Sequence, residues 1–210
     1  MQKISNTSEY RLLLRQRLIK AATREFESKG IKAVKMDDLA NILSVSKRTV
    51  YELFENKEKL LLKSVRDVLD SFDQQMLSYS QDPSHHVIDT ILKYYSMKTE
   101  QMSHIVPAYF IDIEKYPSVI QLFEERRKER ENNSKNFFQR GIDEGFFIKE
   151  ANYELIVKVA DTAMKAIMAN QLYIKYDFKE IFSSLIIVFL RGLCTGKGIK
   201  ELDNRLFLFM

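Results

Sequence analysis

One stretch near the start of the chain, Met36 to Leu53 (MDDLANILSVSKRTVYEL), restricts the possible folds more than any other. Asp37 and Asp38 suit the first turn of a helix, whose N-terminal end carries partial positive charge. Leu39, Ala40, Ile42 and Leu43 give that helix an apolar face, and Ala40 is small enough for a second helix to approach closely. Ser44-Val45-Ser46 is a short turn, with Val45 as its apolar plug and Ser46 as a good N-cap for the second helix. Val50, Leu53 and Phe54 then face inward from that helix, while Lys47, Arg48, Thr49 and Tyr51 face out. The result is a helix-turn-helix whose second helix presents donors near its N-terminus, a shape that suits the major groove of DNA.

The flanks extend the pattern. Upstream, Leu18, Ile19, Ala22 and Phe26 recur at helical spacing and end in Lys29-Gly30, a basic last turn with a glycine stop. Downstream, Asn56 in FENKEKL is placed to cap a fourth helix. Gly30, MDDLA (36–40), VSKRTVYELF (45–54) and NKEKLLL (56–62) resemble the TetR family of transcriptional regulators (TetR/AcrR type). The close match covers roughly a quarter of the chain. Two positions depart from the family pattern. Lys35 stands where Ser or Thr often caps the second helix, and is free to reach a phosphate. Ser44 stands where a turn glycine is common, and must adopt a left-handed conformation at modest cost.

Composition narrows the class. Hydrophobic residues make up 45% of the 210 positions, enough for a packed core, and there are only three prolines and six glycines. Periodic helical segments dominate and no convincing alternation marks a strand, so an all-α fold is expected. A single cysteine, Cys194, rules out an internal disulfide and fits a reducing cytoplasm. MQKISNTSEY lacks the apolar centre of a signal peptide, and the longest apolar run, 185–190, is too short to span a membrane. Residues 1–66 hold 15 Lys and Arg against 8 Asp and Glu, whereas the remainder is slightly acidic. The basic excess coincides with the helix-turn-helix, the footprint of a DNA-binding head on a near-neutral body.

Three short helices are expected over 10–29, 37–43 and 47–54, making a head of residues 9–56. A connector helix over 57–80 comes next, with Leu61, Val65, Leu69 and Phe72 at near-helical steps. Gln81-Asp82-Pro83-Ser84 breaks the chain. The remaining bundle, 81–210, has helices over 85–102, from Pro107, from Pro117 to about 145, over 152–175 and over 178–193.

These segments carry the site expectations. In the head they are Lys35, Ser46, Lys47, Arg48, Thr49, Tyr51 and Lys57. Lys47 and Arg48 are placed for guanine edges or phosphates, Tyr51 resembles the family's phosphate-contacting tyrosine, and Lys57 opens a helix whose amides and side chain could both hold a phosphate. The resemblance implies a small-molecule pocket in the body, and the aromatic and methionine-rich region supplies Tyr94, Met97, Met102, Tyr109, Phe110 and Phe123. A planar or amphipathic effector, apolar or aromatic, is the expected ligand. The last two long helices offer Ala160, Ala163, Ile167, Ile181, Leu185 and Phe189, and the resemblance implies a two-fold four-helix interface there.

No metal-ligand spacing, nucleophile elbow or phosphate loop is present, and no cofactor is expected. A homodimeric, ligand-responsive repressor on a near-palindromic operator is therefore the expectation. An effector-free architectural DNA-binding protein and an enzyme with a vestigial head are the alternatives, and neither repression nor activation is set by the sequence.

Overall fold

The computed structural model describes the backbone of residues 2–206 and the side chains of 8–184 and 187–206. Ten α-helices occupy it: α1 (Gln2–Lys29), α2 (Met36–Leu43), α3 (Lys47–Leu53), α4 (Lys57–Ser80), α5 (Val87–Ser103), α6 (Pro107–Ile113), α7 (Pro117–Asp143), α8 (Tyr153–Ala169), α9 (Phe178–Leu193) and α10 (Gly196–Leu206). A 3-10 turn, Leu172–Ile174, comes after α8. Among the described residues the only extended pairing is an isolated antiparallel bridge between Phe147 and Cys194. The all-α expectation therefore holds.

Two compact units result. The first comprises Met1–Ser71 and Ile105–Phe123, and the second Phe72–His104 and Glu124–Met210. The division falls inside α4 and inside α7, so the boundary differs from the break expected near Pro83. The first unit packs Leu18, Phe26, Leu39, Val50, Leu60, Leu61 and Leu122 into one apolar cluster. The second packs Val87, Ile88, Phe146, Phe147, Leu190 and Leu202 into another. Burial of such side chains contributes about 1.5–3 kcal/mol each, the main force holding each unit together.

Several boundaries move from the sequence expectation. α1 begins at Gln2 rather than near residue 10. The expected 152–175 helix stops at Ala169, because Gln171 takes a left-handed conformation (φ 52°) and turns the chain into the 3-10 segment. Nothing in the sequence pattern announces α10. Ile42, assigned to the inner face of α2, is 50% exposed.

The residues expected at a dimer face differ in exposure. Ile167 and Ile181 are buried within their own unit, at 6% and 8% exposure, so they serve its core and have little surface to offer a partner. Ala160 and Phe189 are exposed and Ala163 is half-buried. The side chain of Leu185 lies outside the described residues. The apolar side chains that do stand out on α8 and α9 are Leu155, Val159 and Val188, the last 71% exposed.

Candidate nucleic-acid interface

The turn between α2 and α3 shows why a short polar tripeptide suffices. Ser44 adopts the left-handed conformation (φ 54°, ψ 43°), and the amides of Ser44 and Val45 donate back to the carbonyls of Asn41 and Ala40. Those bonds satisfy carbonyls that the end of α2 would otherwise leave open. Ser46 then caps α3: its hydroxyl accepts from the Thr49 amide at 3.1 Å and lies 2.8 Å from the Thr49 hydroxyl. Val50 is fully buried and Phe54 nearly so, which anchors the inner side of α3. Arg15 of α1 lies 4.6 Å above the Phe54 ring.

Anchoring one side leaves the other to solvent. The Arg48 side chain is 88% exposed and that of Lys47 65%, while Tyr51 is 49% exposed and Thr49 half-buried. The cations have intramolecular partners. Lys47 pairs with Asp37 across the motif, and Arg48 pairs with Glu52 one turn along, with Nε to Oε1 at 2.8 Å. The hydrogen bond with Asp37 raises the Lys47 pKa, and the bond to Glu52 raises that of Arg48, so both stay charged. Exposed pairs of this kind contribute little to stability.

Lys35 opens α2. Its backbone amide donates to the Asp38 carboxylate at 3.0 Å, so the first turn is secured by a residue inside the helix while the Lys35 side chain remains exposed. Asn56 caps α4 as expected, its side-chain oxygen accepting from the Lys59 amide.

Lys57 departs from expectation. Its ammonium donates to the carbonyls of Ile31 at 2.8 Å and Val34 at 2.9 Å, so the side chain braces the loop between α1 and α2. Partial burial lowers its pKa, an effect that Asp112 opposes. That leaves the amides opening α4, rather than this side chain, as the groups there best placed for a phosphate. The same loop is held from α6, where the Asp112 carboxylate accepts from the Lys32 amide. Gly30 has φ +84°, and a Cβ on it would lie 2.9 Å from the Ala108 Cβ, so both backbone conformation and space require glycine. Sequence spacing could not have revealed these braces, since Lys57 and its two acceptors lie 26 and 23 positions apart.

The six residues expected to line a pocket fall in both units. Tyr109, Phe110 and Phe123 lie in the first, where Tyr109 and Phe123 pack on its core cluster. Tyr94, Met97 and Met102 lie on α5 in the second and are half-buried. None of the six lines either of two described cavities. One, of about 360 Å³, runs between α5 and α9 beside Tyr95, Thr99 and Phe182. The other, of about 320 Å³, lies between α7 and α8 beside Phe138 and Tyr153. A charged residue that sequence reasoning passed over, Lys98, shares α5 with Tyr94 and Met97. Cys194 is buried, and burial pushes its thiol up to about 11 against the opposing pull of Arg191, so it is a poor nucleophile. Among the described residues no group of His, Cys, Asp and Glu could hold a metal ion, and no helix is long and apolar enough to cross a membrane.

Comparison with known proteins places this geometry. Residues 18–63 match the family model described as bacterial regulatory proteins, tetR family. Over 194 residues the chain is 23% identical to the HTH-type transcriptional repressor KstR2 of Mycolicibacterium smegmatis, covering 89% of this chain and 94% of the relative. The structure of the ketosteroid transcriptional regulator KstR2 of Mycobacterium tuberculosis is similar with a TM-score of 0.58 at 16% identity, over 86% of this chain and 95% of that one. The fatty acid degradation regulator FadR from Bacillus halodurans is similar with a TM-score of 0.62 at 17% identity, over 85% and 95% respectively.

Proposed function

Since the chain belongs to the TetR family of bacterial transcriptional regulators, we propose that it is a ligand-responsive repressor acting as a homodimer on a near-palindromic operator. The observation that carries this reading is the outer side of α3. A capped, core-anchored helix presents Lys47, Arg48, Thr49 and Tyr51 to solvent around its first turns. Arg48, the most exposed, reads base edges, while Lys47, Tyr51, the Ser46–Thr49 hydroxyls and Lys35 hold phosphates. One such helix contacts too few bases for specificity. Two, related by a two-fold axis and about 34 Å apart, double the contacts. Leu155, Val159, Val188 and Phe189 supply exposed apolar surface on α8 and α9 for the pairing.

Regulation follows from differential affinity. An effector held in the second unit favours one of two states of the dimer, and only a difference in its affinity for the two can change operator occupancy. Two relatives are named as a ketosteroid transcriptional regulator and a fatty acid degradation regulator, and the aromatic and methionine content of α5 supports a ligand with an apolar body here.

A footprint of the purified protein on the DNA flanking its own gene, at low and moderate salt, tests the reading. A protected near-palindrome that persists at moderate salt is expected. Protection that lacks sequence preference and disappears with salt would instead support the architectural alternative.

A further inference from the structure

Tyr94, Met97, Lys98, Gln101 and Met102 stand at positions i, i+3, i+4, i+7 and i+8 along α5, so they share a face of the helix. Four of the five are uncharged. The fifth is a lysine whose ammonium lies 3.9 Å from the centroid of the Phe72 ring and donates to Gln101 at 3.3 Å. Phe72 in turn meets Tyr94 edge to face at 5.4 Å. Among the described residues Lys98 makes no ion pair. The charges that act on it are Arg130, which repels, and Asp73, which already pairs with Arg126 at 3.4 Å. Near the same tyrosine, Asp161 acts on the Tyr94 hydroxyl, and its Oδ2 atom is buried without a hydrogen bond, with the Arg127 guanidinium 3.8 Å away. The second unit thus holds a half-buried cation with no ion pair and, near Tyr94, a carboxylate oxygen that is ion-paired with Arg127 but accepts no hydrogen bond.

Groups of this kind are costly to bury unless something completes them. A cation over an aromatic ring gains some attraction from the ring, and Arg130, which also acts on Asp161, adds a second positive charge near Lys98. Small hydrated anions are poorly suited to the surroundings, which are aromatic and thioether side chains. An anion attached to an apolar body suits both halves of the site.

We propose that Lys98, with Arg130 nearby, receives the carboxylate of an amphipathic organic acid whose apolar body lies along Tyr94, Met97 and Met102, and that this acid is the effector. The inference rests on the ligand-sensing reading above. Asp161 is the position at which a hydroxyl or amide hydrogen of the same ligand would be bound.

The test uses the full-length protein, with straight-chain carboxylates from hexanoate to hexadecanoate, cholate, and the methyl ester of each, titrated calorimetrically. Wild type, Lys98→Met and Lys98→Arg are compared, and operator binding of each variant is measured alongside to show that it folds. At least one carboxylate is expected to bind wild type, its methyl ester at least about tenfold more weakly. Lys98→Met should lose that preference for the acid, and Lys98→Arg should keep it. The inference is overturned if none of the carboxylates binds, if acid and ester bind alike, or if Lys98→Met binds the acid as wild type does. Carboxylate binding without a footprint on any operator would overturn the regulatory reading while leaving the anion site standing. A clear operator footprint with no carboxylate binding would do the reverse.

Discussion

The Asp112 carboxylate accepts a hydrogen bond from the Lys32 backbone amide at 2.7 Å, although 80 positions separate them in sequence. This bond ties α6 to the loop that leads into the helix-turn-helix, and Lys57 holds the same loop at Ile31 and Val34. The Val106 amide adds a third tie by donating to the Glu27 carbonyl near the end of α1. Asp112 itself is buried, with Lys115 on its other oxygen. The loop before α2 is therefore positioned by side chains remote in sequence, and α2 in turn carries the Asp37 that pairs with Lys47 of α3.

Replacing Asp112 with alanine leaves the Lys32 amide without its acceptor, at a cost of about 1–3 kcal/mol. Asp112→Asn retains an oxygen that can accept from the amide, so it should lose less. Urea denaturation of the two variants, followed by far-ultraviolet circular dichroism, measures the difference. Equal stabilities for wild type and Asp112→Ala would show that the loop finds another acceptor.

Ser46 allows stability and DNA contact to be separated. Ser46→Ala removes the cap on α3 and should cost about 1 kcal/mol. Aspartate is an equally good cap, so Ser46→Asp should melt near the wild-type temperature. It nevertheless places a carboxylate at the surface proposed to meet phosphate, and should bind the operator much more weakly than Ser46→Ala at low salt. Thermal melts and gel-shift titrations of the pair would decide this. A Ser46→Asp protein that binds as well as wild type would move the interface away from the start of α3.

Arg48 and Lys47 should differ in kind. Arg48→Ala is expected to cost about 1–3 kcal/mol on the preferred site and to relax base preference there, whereas Lys47→Ala weakens all sequences alike and lowers the salt slope by about one. Gel shifts on the operator and on scrambled DNA across a salt series measure both effects. If Lys47→Ala altered base preference and Arg48→Ala did not, the two roles would have to be exchanged.

The parts of this chain that are legible in sequence are those whose determinants are local. The Ser46 cap, the left-handed Ser44, the Asn56 cap and the starts of α6 and α7 at proline each depend on residues within a few positions. α10 illustrates the opposite case. It opens with Gly196-Lys197-Gly198, and glycine is a poor helix former, so propensity argues against it. The helix exists because the Thr195 hydroxyl accepts from the Gly198 amide and because Leu202 is fully buried in the second unit. Residue type alone does not reveal the loop-bracing bonds of Lys57, the burial of Ile167 or the ring contact of Lys98, for a related reason. Partners far away in sequence set what these side chains do.

Gly198 makes that dependence measurable. A Cβ at this position would lie 2.2 Å from the Phe146 carbonyl oxygen, which is backbone and has no rotamer by which to move aside. Gly198→Ala should displace α10 from Phe146 and Leu202 from the core, and should destabilise the second unit far more than an ordinary glycine-to-alanine change in a helix, which normally stabilises. Gly196→Ala provides the control, because nothing lies within 4 Å of its added Cβ. Hydrogen exchange across residues 196–206 in the two variants would report the difference. Equal protection in both would show that α10 docks without this close approach.

Lys98 yields a prediction in which stability and ligand affinity depend on pH in different ways. Burial lowers its pKa to about 8, with Arg130 adding to the effect and Asp73 opposing it, whereas in the unfolded chain a lysine titrates near 10.4. Below about 8 the ammonium is charged in both states, and its cost to the folded protein is present in full. Between about 8 and 10.4 the folded state releases a proton that the unfolded state still holds, so wild-type stability rises with pH through this window. Lys98→Met has similar volume and no charge. It should therefore melt above wild type at neutral pH, and the gap should narrow as pH rises through the window. A bound carboxylate has the opposite requirement, because it needs the ammonium. Its affinity for wild type should be highest below about 8 and fall above it, while any residual affinity of Lys98→Met stays flat. Melting curves and titrations of the two proteins over the same pH series test both trends together. A constant gap in melting temperature would mean that Lys98 is solvated well enough to keep an ordinary pKa, and that its position over Phe72 imposes no demand for an anion.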